Sequence, residues 1–209
     1  MTRIALLSDT HNTHWAIDFP KVDLLIHCGD FTNLGTKEEF RDFDDWIAYL
    51  KQQKLIKEAF VVYGNHELLA KKNRTEADQI LKSVDYKVEH GCASPFGIKI
   101  WGCSYIPDCP GWAFNMEEHQ LYYIYNQIPV NFDIVVCHTP PQGILDKFLG
   151  FQKGSRSLAE VLPTKQPKIF ACGHIHSGRG LKHKNKTLHI NCSSVDSFYM
   201  PLPPIILDI

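Results

Sequence analysis

The chain has 209 residues, 44% hydrophobic and 22% charged, which supplies enough apolar material for a compact core and excludes a disordered, collagen-like or coiled-coil chain. Its 22 basic and 23 acidic residues leave a formal charge of -1, with no excess positive field for wrapping nucleic acid or docking on anionic lipid. Seven cysteines, an odd number without a C-x-x-C pair, argue against a disulfide framework and against a thiolate zinc site.

In chain order, short aliphatic runs bounded by Gly, Asn, Asp or Pro predict strands at 4–7 and 22–26. The first run is too short for a signal peptide and no apolar stretch approaches membrane-spanning length, so a soluble cytoplasmic protein with no membrane partner is expected. Thr36-Lys37-Glu38-Glu39 is a capping-box pattern, and Phe40, Phe43, Trp46, Ile47 and Leu50 follow it at helical spacing, which predicts a helix over about residues 37–53. A strand at 60–63, a helix within 75–83, a strand at 98–101, a helix over about 116–127 and a strand at 133–136 come next. A second capping box, Ser157-Leu158-Ala159-Glu160, predicts the start of another helix, and strands follow at 168–171 and 188–190. Lys182-His183-Lys184-Asn185-Lys186 reads as a solvated basic turn between two strands. Strand and helix alternate without a repeat or linker, which predicts one α/β domain over 1–209 with strands buried on both faces.

Polar residues able to bind metal follow strand after strand. Asp9 and His11 follow the first, Gly29-Asp30 the second, and Gly64-Asn65-His66-Glu67 the third; His138 and then Gly173-His174-Ile175-His176 follow two later ones. Ligands collect at the carboxyl ends of strands in open α/β sheets, so these five loops can converge on one point. Asp9/His11 and His174/His176 are i, i+2 pairs, which on extended backbone project to the same side. Carboxylate, imidazole and amide oxygen without thiolate suit Mn, Fe, Zn or Co. Seven such groups exceed one tetrahedral centre, whereas two ions sharing a carboxylate would use them all.

The ordered motifs D-x-H, G-D, G-N-H-E, H and G-H-x-H resemble those of the calcineurin-like metallophosphoesterase superfamily. Trp112-Ala113-Phe114-Asn115, His138-Thr139-Pro140-Pro141 with Gly143, Ser177-Gly178 and the tail Pro203-Pro204-Ile205-Ile206-Leu207-Asp208 are similar to the metallophosphoesterase-domain-containing subgroup related to cyclic-nucleotide phosphodiesterases. The resemblance implies a four-layer αββα sandwich of two mixed sheets flanked by helices. It also implies two divalent ions, with manganese favoured: Asp9, His11 and His176 on one, Asn65, His138 and His174 on the other, and Asp30 bridging. Such a pair outweighs the charge of its two carboxylates and a bridging hydroxide, so the site attracts an anion, and paired metals suit in-line attack on a phosphoester. His66, beside Asn65, is the candidate general acid for the leaving oxygen, with Glu67 as an orienting partner.

The function expected is hydrolysis of a small phosphodiester or phosphomonoester, a cyclic nucleotide among the candidates. A nuclease and a catalytically silent binding scaffold are the alternatives; near-neutral charge disfavours a nucleic-acid partner, and the oligomeric state is left open. Asn12, Asn33 and Asn115 are candidate substrate contacts, although turn or cap duty explains them as well. Trp112, Phe114, Tyr122, Tyr123 and Tyr125 read as core cover in preference to a stacking platform. His14, His27, His90, His119, His183 and His189 match no motif and read as structural or surface residues. The absence of G-x-S-x-G and of G-x-x-x-x-G-K-[ST] argues against a serine hydrolase and a P-loop enzyme.

Overall fold

A computed structural model describes residues 1–107, 109–196 and 198–209. β1 (Arg3–Leu7) and β2 (Leu24–His27) pair in parallel and are followed by α1 (Lys37–Gln52), β3 (Glu58–Val62), α2 (Leu68–Lys72), α3 (Arg74–Ile80) and β4 (Tyr86–Val88). Next come the antiparallel pair β5 (His90–Ala93) and β6 (Ile100–Cys103), then α4 (Glu118–Asn126), β7 (Ile134–Cys137), the small hairpin of β8 (Lys147–Phe148) and β9 (Phe151–Gln152), and α5 (Arg156–Lys165). β10 (Ile169–Cys172), β11 (Gly180–Lys184), β12 (Thr187–Asn191) and β13 (Ile205–Asp208) complete the order. One sheet runs β13-β1-β2-β3-β4, parallel apart from β13. The other runs β11-β12-β10-β7-β6-β5, with parallel central strands and an antiparallel strand at each edge.

Successive side chains on a strand point to opposite faces, so each strand contributes to two layers. Ile4, Leu6, Ile26, Phe60 and Val62 of the first sheet share a buried layer with Ile100, Ile134, Val136, Ala171 and Ile190 of the second. The alternate residues Ala5, Leu7, Leu25 and Val61 are buried with the apolar stripe of α1, and Trp101, Val135 and Phe170 with residues of α4 and α5. The result is the four-layer αββα sandwich. Gly102 on β6 lets the sheets close: a Cβ there would lie 2.8 Å from Val62 and 2.9 Å from Phe60.

α1 starts where its capping box requires, with the Thr36 side chain accepting from the Glu39 N–H and the Glu39 carboxylate accepting from the Thr36 N–H. α5 starts earlier than the Ser157 box implies. Ser155 is its N-cap, and the carboxylate of Glu118 accepts the N–H groups of Arg156 and Ser157, so Ser157 lies inside the first turn. The strand expected at 98–101 is displaced to Ile100–Cys103 because Pro95–Gly97 forms a 3₁₀ turn. In the basic segment, residues 182–184 belong to β11 and only Asn185 and Lys186 turn, both with positive φ. The aromatic group divides: Phe114 and Tyr125 are core, while Trp112, Tyr122 and Tyr123 are exposed, which overturns the core assignment for those three.

Phe43 lies fully buried, its ring stacked on Phe31 at 4.2 Å and edge-on to His27 at 5.3 Å. Phe43→Ala is expected to lower unfolding free energy by about 3–5 kcal/mol in urea titration. His189 on β12 packs on Phe170 and is held at a pKa of about 4 by burial and then by the charge of Lys184. Its folded value lies below the unfolded value near 6.5, so its contribution is complete above about pH 6.5 and is lost as pH falls toward 4. Comparing unfolding free energies of wild type and His189→Leu across that window should show the variant's slope lower by about one proton.

Candidate metal centre

The carboxyl ends of β1, β2, β3, β7 and β10 lie side by side at one rim, and the loops leaving them are laced together by backbone hydrogen bonds. Asp9 N–H donates to the Gly29 carbonyl, His11 N–H to Asp30, Ala113 N–H to Asn65, and Gly173 N–H to His138. The D-x-H and G-H-x-H pairs are not on extended backbone as their spacing suggests. Asp9, His11 and His174 have φ of 53°, 41° and 64°, and Asp30 has 57°, so left-handed turns aim these side chains inward. Non-glycine residues in that region carry strain of about 1–3 kcal/mol each and persist when surrounding contacts over-determine them.

The contacts that do so are visible. His174 N–H donates to both oxygens of the Asp9 carboxylate at 2.9 and 3.0 Å, and His66 N–H donates to Asp30 Oδ1 at 2.8 Å. Glu67, fully buried, accepts from the N–H groups of Asp30, Thr32 and Gly64 and from the Thr32 hydroxyl. Glu67 therefore positions the Asp30 loop and not His66. The partner that orients His66 is the Asn33 carbonyl, which meets its Nδ1. Gly64 cannot be replaced here, because any Cβ would strike Asp30.

All seven expected donors come together. Three triads have donor atoms within 4.8 Å of one another: Asp9, His11 and His176; Asp30, His138 and His174; and His11, Asp30 and His66. Asn65 Oδ1 lies 3.1 Å from His138 Nε2, which is also 3.1 Å from Asp30 Oδ2. His11 Nε2 and His176 Nε2 are 3.3 Å apart. The donor set fits divalent cations. The Nδ1 atoms of His11 and His138 meet the carbonyls of Thr32 and Cys28, which can only accept, so each ring carries a proton on Nδ1 and turns Nε2 toward the centre. Above these groups opens a cavity of about 360 Å³ walled by His11, Asp30, Asn65, His66, His174 and His176. Sequence reasoning missed Tyr199 and Phe148, which also line it, and assigned to core cover Trp112, whose ring lies 4.2 Å from that of His66. Tyr199 in a loop and Phe148 in the two-residue β8 carry no spacing signal that could have found them.

Burial alone would raise the Asp30 carboxyl, but the facing imidazoles of His138, His66 and His11 overcome it and hold it well below the usual carboxylate range. Asp9 is held at about 2 against the same burial by His176 and His138. Burial, reinforced by the imidazole of His138, pushes His174 down to about 4. For Glu67 burial and the neighbouring charge of Asp30 push the carboxyl up to about 7.

The asparagines are engaged locally. Asn12 Nδ2 donates to Glu39, Asn33 Nδ2 to the His11 carbonyl, and Asn115 Oδ1 accepts from the Cys109 N–H. Asn12 and Asn33 stand beside His11 and His66, whereas Asn115 serves a turn. His14, His27 and His189 are buried and His90, His119 and His183 are not, and none belongs to the triads.

A family model described as calcineurin-like phosphoesterase matches residues 2–178. The chain belongs to that family. It is 31% identical to metallophosphoesterase domain-containing protein 1 of Homo sapiens and of Mus musculus, across 100% of this chain and 71% of theirs. It is 29% identical to the probable glycerophosphodiester phosphodiesterase GpdQ of Arcobacter nitrofigilis, across 75% of this chain and 58% of that protein. A solved crystal structure superposes with a TM-score of 0.65 over 91% of this chain and 90% of its own at 14% identity, a likeness of fold alone. Family membership and the His/Asp clusters together support a metal-binding phosphoesterase. No helix among the described residues is long and apolar enough to cross a membrane.

Because Glu67 fixes three loop N–H groups, Glu67→Gln turns an amide against donors and should weaken manganese binding about 10–100-fold. Calorimetric titration of the chelated protein, with circular dichroism to establish folding, measures it.

Proposed function

We propose that this protein is a dinuclear metal-dependent hydrolase of small phosphodiesters or phosphomonoesters, cyclic nucleotides included, working in the cytoplasm. The observation that carries the proposal is the position of Asp30: only 2% exposed, it shares donor clusters with His138 and His174 on one side and with His11 on the other. One divalent ion is assigned to Asp9, His11 and His176, the other to Asn65, His138 and His174, and Asp30 is assigned to both. This nitrogen and oxygen donor set suits manganese, iron, zinc and cobalt alike, and the family resemblance favours manganese. Such a pair supplies Lewis acidity toward phosphoryl oxygens and an activated water as nucleophile. A relative named as a probable glycerophosphodiester phosphodiesterase supports counting diesters among the substrates.

The chain's own contribution to bond breaking is proton delivery. His66 Nδ1 meets the Asn33 carbonyl, so its Nε2 faces Asp30 at 3.9 Å across the cavity floor. From there it can hydrogen-bond the leaving oxygen and hand it a proton as the ester bond opens. Its ring is held between His11, edge-on at 4.6 Å, and Trp112 at 4.2 Å. The net charge of -1 favours a small substrate over a polynucleotide.

The decisive experiment reloads chelated protein with each metal in turn and assays bis(p-nitrophenyl) phosphate, p-nitrophenyl phosphate, cyclic nucleotides and DNA. Turnover of a small ester that is insensitive to salt is expected, and no turnover of any ester with two ions bound would leave a binding scaffold instead. His66→Ala should lower turnover by about 10²–10⁴-fold with metal content unchanged. Loss of metal on that substitution, read by elemental analysis, would make His66 a ligand.

A further inference from the structure

A second cavity, about 350 Å³, adjoins the metal cavity and shares Phe148, His174 and Ile175 with it as a common wall. Its far side carries Lys153 and Arg156, flanked by the amides of Gln142 and Gln152 and by Glu118. The acid there is already engaged: Glu118 Oε1 accepts from Arg156 N–H at 2.7 Å, and Oε2 accepts from the Ser155 hydroxyl at 2.9 Å and Ser157 N–H at 3.0 Å. The cations are not so engaged, since neither Lys153 nor Arg156 forms an ion pair among the described residues.

The segment presenting them is fixed before any ligand arrives. Ser155 N–H donates to the Pro140 carbonyl and Gln142 N–H to the Ser155 carbonyl, which ties this stretch to the chain just beyond His138. Asp146, 1% exposed, accepts from the N–H groups of Gly143 and Gly154, and its carbonyl accepts from Lys153 N–H. Gly154 lets the two segments meet, because a Cβ there would lie 2.7 Å from Gln142 N and Pro140 O. A preorganised platform loses less entropy on binding than a mobile one.

We propose that this second cavity is a specificity subsite for an oxyanion, a phosphate or carboxylate carried on the part of the substrate that is not attacked. Arg156 offers a planar fork and Lys153 a point charge, the pair of donors suited to such a group, and the amides can hold hydroxyls beside it. The proposal rests on the phosphoesterase reading and narrows it to substrates with an anion at each end.

Two measurements test it. In the first, manganese-loaded protein is assayed on 1,3-propanediol bisphosphate, 4-(phosphonooxy)butanoate and propyl phosphate. Wild type should prefer at least one doubly anionic ester over propyl phosphate by tenfold or more in kcat/KM, equivalent to about 1.4 kcal/mol, and the preferred one tells phosphate from carboxylate. In K153A/R156A that ratio should fall to near one, and in K153R/R156K it should be largely regained. The same ratio in wild type and K153A/R156A overturns the subsite. The second uses metal-stripped protein and inorganic phosphate alone: wild type should broaden the phosphorus resonance and K153A/R156A should not. Equal broadening also overturns it. If no ester is hydrolysed, bis(p-nitrophenyl) phosphate and the cyclic nucleotides included, yet the broadening differs between the two proteins, the subsite stands and the phosphoesterase reading falls.

Discussion

A carboxylate removed from water must be matched by charge or hydrogen bonds, because an uncompensated buried charge costs several kcal/mol. Asp30 is that carboxylate, and the rim of the sandwich is arranged around it. His66 N–H and the imidazole of His138 satisfy its oxygens, while the Glu67 carboxylate accepts the N–H groups of Asp30 and Gly64 at once. Left-handed backbone at Asp9, His11, Asp30 and His174 is tolerated because these contacts leave the loops no other course. The same contacts remove the need for long, mobile side chains at the centre, since short aspartates and ring-limited histidines reach it directly.

The two sheets give these loops a firm base. The strands that carry them are buried except at the first residues of β1 and β3 and are mainly apolar, and close packing at Gly102 brings the layers together. A cavity with a metal-binding floor and an adjoining cationic shelf is then a consequence of which loops leave which strand ends. Among the helices, α1 is a support, α5 lends Arg156 from its first turn to the shelf, and Glu118 of α4 ties α4 to the start of α5.

Local signals made part of this legible in the sequence. α1 announces itself because its cap and its apolar stripe lie within one segment, and the donors announce themselves because five motifs recur in order behind apolar runs. The start of α5 does not, since the carboxylate that caps it lies 37 to 39 residues upstream. β4 and β5 are three and four residues long and only partly buried, too short for a period to show. Glu67 was visible as a candidate, but its partners are three N–H groups brought together by separate loops, and spacing cannot express that. Backbone handedness at Asp9 and His11 is equally hidden, because the i, i+2 pattern is common to several conformations. Trp112 illustrates the converse: its neighbours Ala113 and Phe114 are buried, and only the fold turns its ring outward toward His66.

Two of the three donor triads draw on both sheets of the sandwich. Asp9 and His11 leave the first sheet and His176 the second; Asp30 leaves the first, and His138 and His174 the second. Any ion seated in either triad is thus a cross-link between sheets that exists only in the native arrangement, and it adds to the native state's stability in proportion to the logarithm of its concentration over its dissociation constant. Metal supply would then set what fraction of the chain stays folded.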